Sequence, residues 1–142
     1  MTPPNSFRIL LAAALFLLMA ACASSGSRDD LRDQSLYVYA GAIRWGQIDE
    51  ALGFVDPEYL KKRPFTALDR SRFDQVRITG YDVKGYEPIG KDELAQVVEI
   101  RLVNQHTQTE RTVIDRQRWR WDEESRRWWL LTGLPDITAG AR

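Results

Sequence analysis

The chain has 142 residues, of which 28% are charged, and its twenty basic and twenty acidic side chains give a formal net charge of 0. A balanced charge supplies no long-range field to concentrate polyanions, so we expect no nucleic-acid partner. The only cysteine is Cys22, which excludes an intrachain disulfide and a thiolate metal cluster. The chain also has no glycine-rich phosphate loop and no HExxH motif, and we expect neither a cofactor nor a metal.

Residues 1–21 have the pattern of a secretory signal peptide. Arg8 precedes an unbroken apolar run, residues 9–21, which is shorter than the roughly 20 residues that span a bilayer. The run leads into the sequence MAAC, whose last residue is Cys22. This sequence resembles the lipobox of bacterial lipoproteins, with methionine where leucine is usual. The resemblance implies cleavage before Cys22 and acyl chains on that residue, which would anchor the protein in a membrane.

An ordinary signal-peptidase site is the alternative at this position, because Ala21 and Ala23 flank Cys22 as small residues. Cleavage there would release a soluble periplasmic protein. We favour the lipoprotein interpretation, since the only cysteine lies where acylation requires it. Residue 23 is alanine rather than aspartate, and by resemblance to Gram-negative lipoproteins this favours a periplasm-facing anchor in the outer membrane.

The rest of the chain is predicted to form one domain. Residues 22–28 are predicted to be a lipidated tether, because the residues that follow the cysteine are mostly small and polar. This tether can reach about 20 Å. Residues 29–137 carry the periodic patterns of a folded domain, and residues 138–142 are predicted to be a flexible C-terminal tail.

The first part of the domain has helical periodicity. Ser27 is a predicted N-cap. After it, small and apolar residues recur at steps of three and four and form a stripe that is expected to face the core. A second helical turn is predicted over residues 48–55, and a third segment over residues 56–62, with Asp56 as its cap. Pro64 is predicted to close the helical part. The stripe consists of Leu31, Ser35, Val38, Ala42 and Trp45.

The second part alternates with the period of two that is typical of strands. The strands are predicted at residues 73–84, with a bulge near Gly80, and at residues 94–103, 109–121 and 127–134. Helices followed by consecutive strands predict an α+β fold, in which N-terminal helices pack on a curved antiparallel β-sheet meander.

Two segments resemble the NTF2-like (cystatin-like) superfamily. They are WGQIDEALGFVDP at residues 45–57 and WWLLTGLP at residues 128–135. The resemblance implies a helical N-terminal part that cradles a strongly bent sheet. Members of the superfamily include ketosteroid isomerase-type enzymes, polyketide cyclases, secretion-system subunits and many lipoproteins, so the fold does not fix a function.

Charge and hydrophobic pairing predict the register of the last hairpin. A turn at Glu124 and Ser125 places Trp121 opposite Trp128 and turns both inward with Trp119. The same alternation turns three arginines and one tryptophan outward, where we expect Arg120 to stack on Trp129. These outer-face candidates for binding an envelope partner or anionic headgroups are Arg116, Arg118, Arg120 and Trp129.

The preceding hairpin is predicted to turn near Gln105 and His106. This register pairs Arg101 with Glu110 on the outer face, and on the inner face it pairs Val98 with Val113. His106 has no ligand partner at metal spacing and is interpreted as a solvated loop residue.

A polar group falls on the predicted inner face among the tryptophans. Buried polar side chains need partners, so these residues either satisfy one another or line a pocket. The candidates are Gln96, Asp115, Gln117, Thr132, Trp119 and Trp121.

We expect a non-catalytic binding or assembly module whose partners are the membrane, through lipid on Cys22, and an envelope protein or a second copy of the chain. A small ligand bound to the concave face of the sheet is a further possible partner. The alternative is an isomerase- or cyclase-like enzyme with Asp115 as general base. An open cavity at Asp115 favours the enzyme, and a filled core with Asp115 paired to Gln96 or Gln117 favours the module.

Overall fold

The computed structural model describes residues 26–139. The predicted signal peptide, Cys22 and the last three residues of the predicted tail lie outside the described residues. Within the described part, four helices precede a four-stranded antiparallel sheet, so the α+β prediction is confirmed. None of these helices combines the length and the apolar character that crossing a membrane requires. The elements are α1 (Arg28–Arg44), α2 (Ile48–Leu52), α3 (Pro57–Lys62), α4 (Ala67–Asp74), β1 (Val76–Ile89), β2 (Glu93–Asn104), β3 (Glu110–Asp122) and β4 (Arg127–Leu130).

Helix α1 begins where the sequence predicted, and its buried face agrees with the predicted stripe at Ala42 but not at Trp45. Ser27 is the N-cap, and its side chain and that of Asp30 form a capping box. The buried side chains are Tyr39, Ala42 and Ile43, whereas Trp45 is 76% exposed. The predicted stripe was therefore wrong at Trp45, because this residue is the C-cap, where the chain leaves the helix.

The prediction that Pro64 closes the helical part was wrong, because another helix follows it. Thr66 and Asp69 form a second capping box that begins helix α4. The helix extends through Asp74, so β1 begins at Val76 rather than at Phe73. The prediction for α3 was confirmed, since the Asp56 carboxylate accepts hydrogen bonds from the backbone of the helix's first turn.

The strands form a meander in the order β1-β2-β3-β4. In the last hairpin, Trp121 lies opposite Trp128, as predicted, and Asp122 lies opposite Arg127. The register predicted for the preceding hairpin was wrong by two residues, since Val98 pairs with Asp115 instead of Val113.

A longer turn explains this shift. The Asn104 side chain accepts hydrogen bonds from the backbone N–H groups of His106 and Thr107, at 2.9 and 3.0 Å. This holds a loop between Asn104 and Thr109. A shift of two residues leaves every side chain on its predicted face, whereas a shift of one would have inverted the sheet.

The core lies between the helices and one face of the sheet. Burial alternates strictly along the middle of β2 and β3, which assigns one face of each strand to the interior. Residues of the segment 54–56 pair with Leu130 and so attach the helical part to β4. The largest fully buried side chains are Trp119, Tyr39, Ile43, Leu94, Ile100, Leu102, Leu130, Gln117, Val55 and Val98.

Strand β4 is shorter than predicted, because the chain turns away after Leu130. Gly133 has a φ of +76°, and a Cβ at this position would lie 2.5 Å from the Tyr59 ring. Glycine is therefore required at position 133 for two reasons: the backbone conformation there and the close approach of the Tyr59 ring.

We expect Gly133→Ala to lower the free energy of unfolding by about 2 kcal/mol or more, since left-handed strain and overpacking each cost about 1–3 kcal/mol. Gly90→Ala is the matched control, because Gly90 also has a positive φ, +68°, but nothing lies within 4 Å of a Cβ there. Urea denaturation of both variants measures the difference. Equal losses for the two variants would show that the Tyr59 contact contributes nothing.

Candidate functional site

A buried polar cluster interrupts the apolar core on the inner face of the sheet. Gln96, Asp115 and Gln117 are all buried, with at most 9% of the surface of each residue exposed. Gln96 on β2 lies directly opposite Gln117 on β3, and Asp115 is two residues from Gln117 on the same face. The structure thus brings together three of the polar side chains that the sequence placed inward.

The amide of Gln117 is the centre of this cluster. Its Nε2 donates to Asp115 Oδ2 at 2.7 Å and to the Tyr81 hydroxyl at 3.0 Å. Its Oε1 accepts from Gln96 Nε2 and from Trp119 Nε1, each at 3.1 Å. Because an indole N–H only donates, the contact with Trp119 fixes the orientation of the amide. All four hydrogen-bonding positions of the Gln117 amide are therefore used within the protein.

Burial changes the acidity of the groups around Gln117. It raises the pKa of Asp115 to about 6, against the opposing effect of the hydrogen bond from Gln117, which lowers it. Burial also raises the pKa of Tyr39 well above its usual value, with a further contribution from the negative charge of Asp115. The Tyr39 hydroxyl is buried and has no hydrogen-bond partner among the described residues.

Two tyrosines of this region were missed by sequence reasoning. Tyr81 turns inward because of the predicted bulge at Gly80, which was confirmed: Ile78 pairs with Leu102, and after the extra residue Tyr81 pairs with inward-facing Ile100. Tyr39 lies outside the predicted stripe of α1. An extra residue changes which side chains face the core, so strict alternation from Ile78 gave no signal for Tyr81.

Aromatic rings fill the space beside the cluster. Tyr39 and Trp119 pack edge to face with centroids 5.1 Å apart, and Phe54 lies 6.2 Å from Trp119. Neither Asp115 nor Gln117 lines any of four well-formed surface clefts, of about 40–440 Å³, in the described part of the chain. Asp115 is thus paired with Gln117 in a packed region.

The other two inward candidates make no hydrogen bond to the Gln117 amide. Trp121 packs against Trp128 with centroids 5.9 Å apart, and its Nε1 donates to Glu123 at 2.6 Å. Thr132 follows β4, and its hydroxyl is buried without a partner among the described residues.

Most of the arginine stripe on the outer face is used within the domain. Arg118 binds Glu93 at 2.6 Å, and Arg120 binds the buried carboxylate of Asp56 at 2.9 Å. Asp56 also caps α3, so the Arg120 contact joins the sheet to the helical part. Arg116 forms no ion pair with any residue that the structure describes.

The predicted stacking of Arg120 on Trp129 was wrong. The guanidinium over the Trp129 ring is that of Arg127, 3.9 Å from the ring centroid. Arg120 is instead drawn to Asp56, because an ion pair with a buried carboxylate is stronger than an exposed contact with a ring.

No group of three or more His, Cys, Asp or Glu side chains within residues 26–139 is placed to hold a metal ion. No family model, curated protein or solved structure matches the chain. What the protein does must therefore be inferred from its own residues and their geometry.

Proposed function

We propose that the protein is an outer-membrane lipoprotein of a Gram-negative bacterium, anchored through acyl chains on Cys22. Its domain faces the periplasm and acts as a non-catalytic binding or assembly module, with an envelope protein or a second copy of the chain as its partner. The acyl chains keep the domain near the membrane, where its surface meets that partner.

The observation that carries the non-catalytic function is the saturated amide of Gln117. A general base has to come within about 3 Å of the proton that it removes. Asp115 is instead held by Gln117 beside packed aromatic rings and lines none of the four clefts. An NTF2-like fold for the domain is supported by the helices that cover one face of the antiparallel meander and by the bulged first strand.

The anchor is supported by the sequence around the cysteine. The apolar run of residues 9–21, the small residues before Cys22 and the absence of any second cysteine agree with lipidation at one site. The folded domain begins close behind, since Ser27 already caps α1. This leaves four residues, 23–26, between Cys22 and the N-cap.

Replacing Cys22 with alanine tests the anchor. We expect Cys22→Ala to abolish labelling by an alkyne fatty acid and to remove the processed form from the membrane fraction. The measurement is labelling and fractionation of cells, with processed and precursor forms separated by mass. Ala23→Ser, which keeps the cysteine and a small residue after it, is the control and should behave as wild type.

Two results would contradict the anchor. One is a Cys22→Ala protein that is still processed and stays in the membrane fraction. The other is wild-type protein that is processed but unlabelled and released into the periplasm, as an ordinary signal-peptidase site would give. Wild-type protein that is lipidated but pellets with the inner membrane would change the assigned membrane from outer to inner and would still support the lipid anchor on Cys22.

A further inference from the structure

The end of the β1–β2 hairpin exposes apolar side chains. We call residues 86–91, with the sequence YEPIGK, the hairpin tip. Tyr86 is 45% exposed and Ile89 is 41% exposed, and Pro88 between them is also exposed. These side chains lie at the turn that joins β1 and β2.

The hairpin tip lies beside the residues with which the folded domain begins. The Arg28 guanidinium binds Asp92 at 2.6 Å, and the Arg28 carbonyl accepts a hydrogen bond from Trp128 Nε1 at 3.2 Å. One turn later in α1, the Arg32 guanidinium lies 5.7 Å from the centroid of the Tyr86 ring. The first turn of α1 and the hairpin tip thus form one end of the domain.

The tether brings this end of the domain to the membrane. Five residues separate Cys22 from Arg28, so even a fully extended tether reaches only about 20 Å. Two other aromatic side chains of comparable size are exposed, Tyr37 and Trp45, and they lie further along α1, about 14 and 25 Å from Arg28 at 1.5 Å per residue. The hairpin tip is therefore the exposed apolar group nearest the anchor.

We propose that the hairpin tip contacts the headgroup region of the membrane to which the protein is anchored, and so holds the domain in a defined orientation. This inference rests on the lipid anchor proposed above. Tyrosine and lysine are favoured at the boundary between headgroups and acyl chains, and Lys91 can extend its amine towards phosphate while its stem stays apolar. Ile89 and Pro88 supply the apolar surface that enters this boundary.

The contact is apolar rather than electrostatic. Around the tip, Lys91 is balanced by Glu87 and by Asp92, which is already paired with Arg28. Balanced charge gives little attraction to anionic lipid, so the contact does not depend on ionic strength or on the fraction of anionic lipid. This separates the proposed contact from the adsorption of a basic patch.

A single introduced cysteine tests the contact in the lipidated full-length protein. Acylation blocks Cys22, so Ile89→Cys carries the one free thiol, which takes an environment-sensitive fluorophore. The labelled protein is placed in phosphatidylethanolamine–phosphatidylglycerol vesicles with a spin-labelled lipid as quencher. Ile114→Cys on the outer sheet face and Leu68→Cys in α4 are the controls, since these residues are 50% and 60% exposed.

We expect the spin-labelled lipid to quench the fluorophore at position 89 several-fold more than at position 114 or 68, with no change at higher salt. Equal quenching at the three positions, or stronger quenching at position 114, overturns the inference. Shielding of position 89 from aqueous iodide in cell membranes, without quenching by lipid in vesicles, assigns the tip to a protein partner and also overturns it. Fractionation of the same protein checks the anchor separately, because unlipidated protein would fail to float with the vesicles at all.

Discussion

Trp119→Ala is expected to lower the free energy of unfolding by about 3–5 kcal/mol, the range for removing a buried aromatic side chain. Trp119 is 0% exposed and packs edge to face against Tyr39 and Phe54. The substitution leaves a cavity between the helices and the sheet. It also removes the donor that binds Gln117 Oε1, although Gln96 keeps its bond to that oxygen.

Urea denaturation followed by circular dichroism measures this loss without relying on tryptophan fluorescence. Trp45→Ala is the matched control, because it removes the same side chain from a position that is 76% exposed and should change stability by less than about 1 kcal/mol. A Trp119→Ala protein as stable as Trp45→Ala would show that Trp119 is not part of the core. Unchanged stability with altered recovery of a crosslinked partner would place Trp119 on a binding surface.

Asp115→Asn is expected to stabilise the domain at neutral pH. Burial raises the pKa of Asp115 from 3.8 to about 6, so the folded protein holds this proton more tightly than the unfolded chain does. The stabilisation from the protonated form is fully present below pH 3.8 and is lost as the pH rises through about 6. At pH 8 the ionised carboxylate therefore costs up to about 3 kcal/mol, at 1.36 kcal/mol per pKa unit.

Asparagine keeps an oxygen that accepts from Gln117, but it has no charge to bury. We expect Asp115→Asn to be up to about 3 kcal/mol more stable than wild type at pH 8, and to lose the slope of stability between pH 4 and pH 6 that comes from this group. Denaturation at a series of pH values tests this, with Glu87→Gln on the exposed hairpin tip as the control. A wild-type slope in Asp115→Asn would show that another group causes it.

The same variant separates the two function classes. For a binding or assembly module, an Asp115→Asn protein that is more stable should complement a deletion strain as well as wild type does. For an enzyme that uses Asp115 as general base, the stabilised variant would fold and localise normally but fail to complement. That result would overturn the non-catalytic function while leaving the anchor intact.

Local chemistry made several structural features predictable. The capping side chains of Ser27 and Asp56 mark the starts of α1 and α3, because a cap acts on backbone groups two or three residues away. Thr66 and Asp69 carry the same signal for α4, a helix that was not predicted. The inward side of β3 followed from a period of two that even a two-residue error in pairing preserves.

Features that depend on distant residues were not predictable in this way. Arg120 is 64 positions from Asp56, and the ion pair between them depends on how the α3 cap meets the sheet. Tyr81 reaches the Gln117 amide only because the bulge at Gly80 changes which side chains face inward.

The sequence by itself determined the class of the fold, the order of its strands and the faces of β3 and β4, because each depends on contacts close along the chain. It also supplied the grounds for expecting an anchor at Cys22. Only the tertiary structure decided that Asp115 is paired and the space beside it filled, and that the hairpin tip lies next to the first turn of α1. Burial and packing are properties of groups from separate elements, and no local pattern in the sequence specifies them.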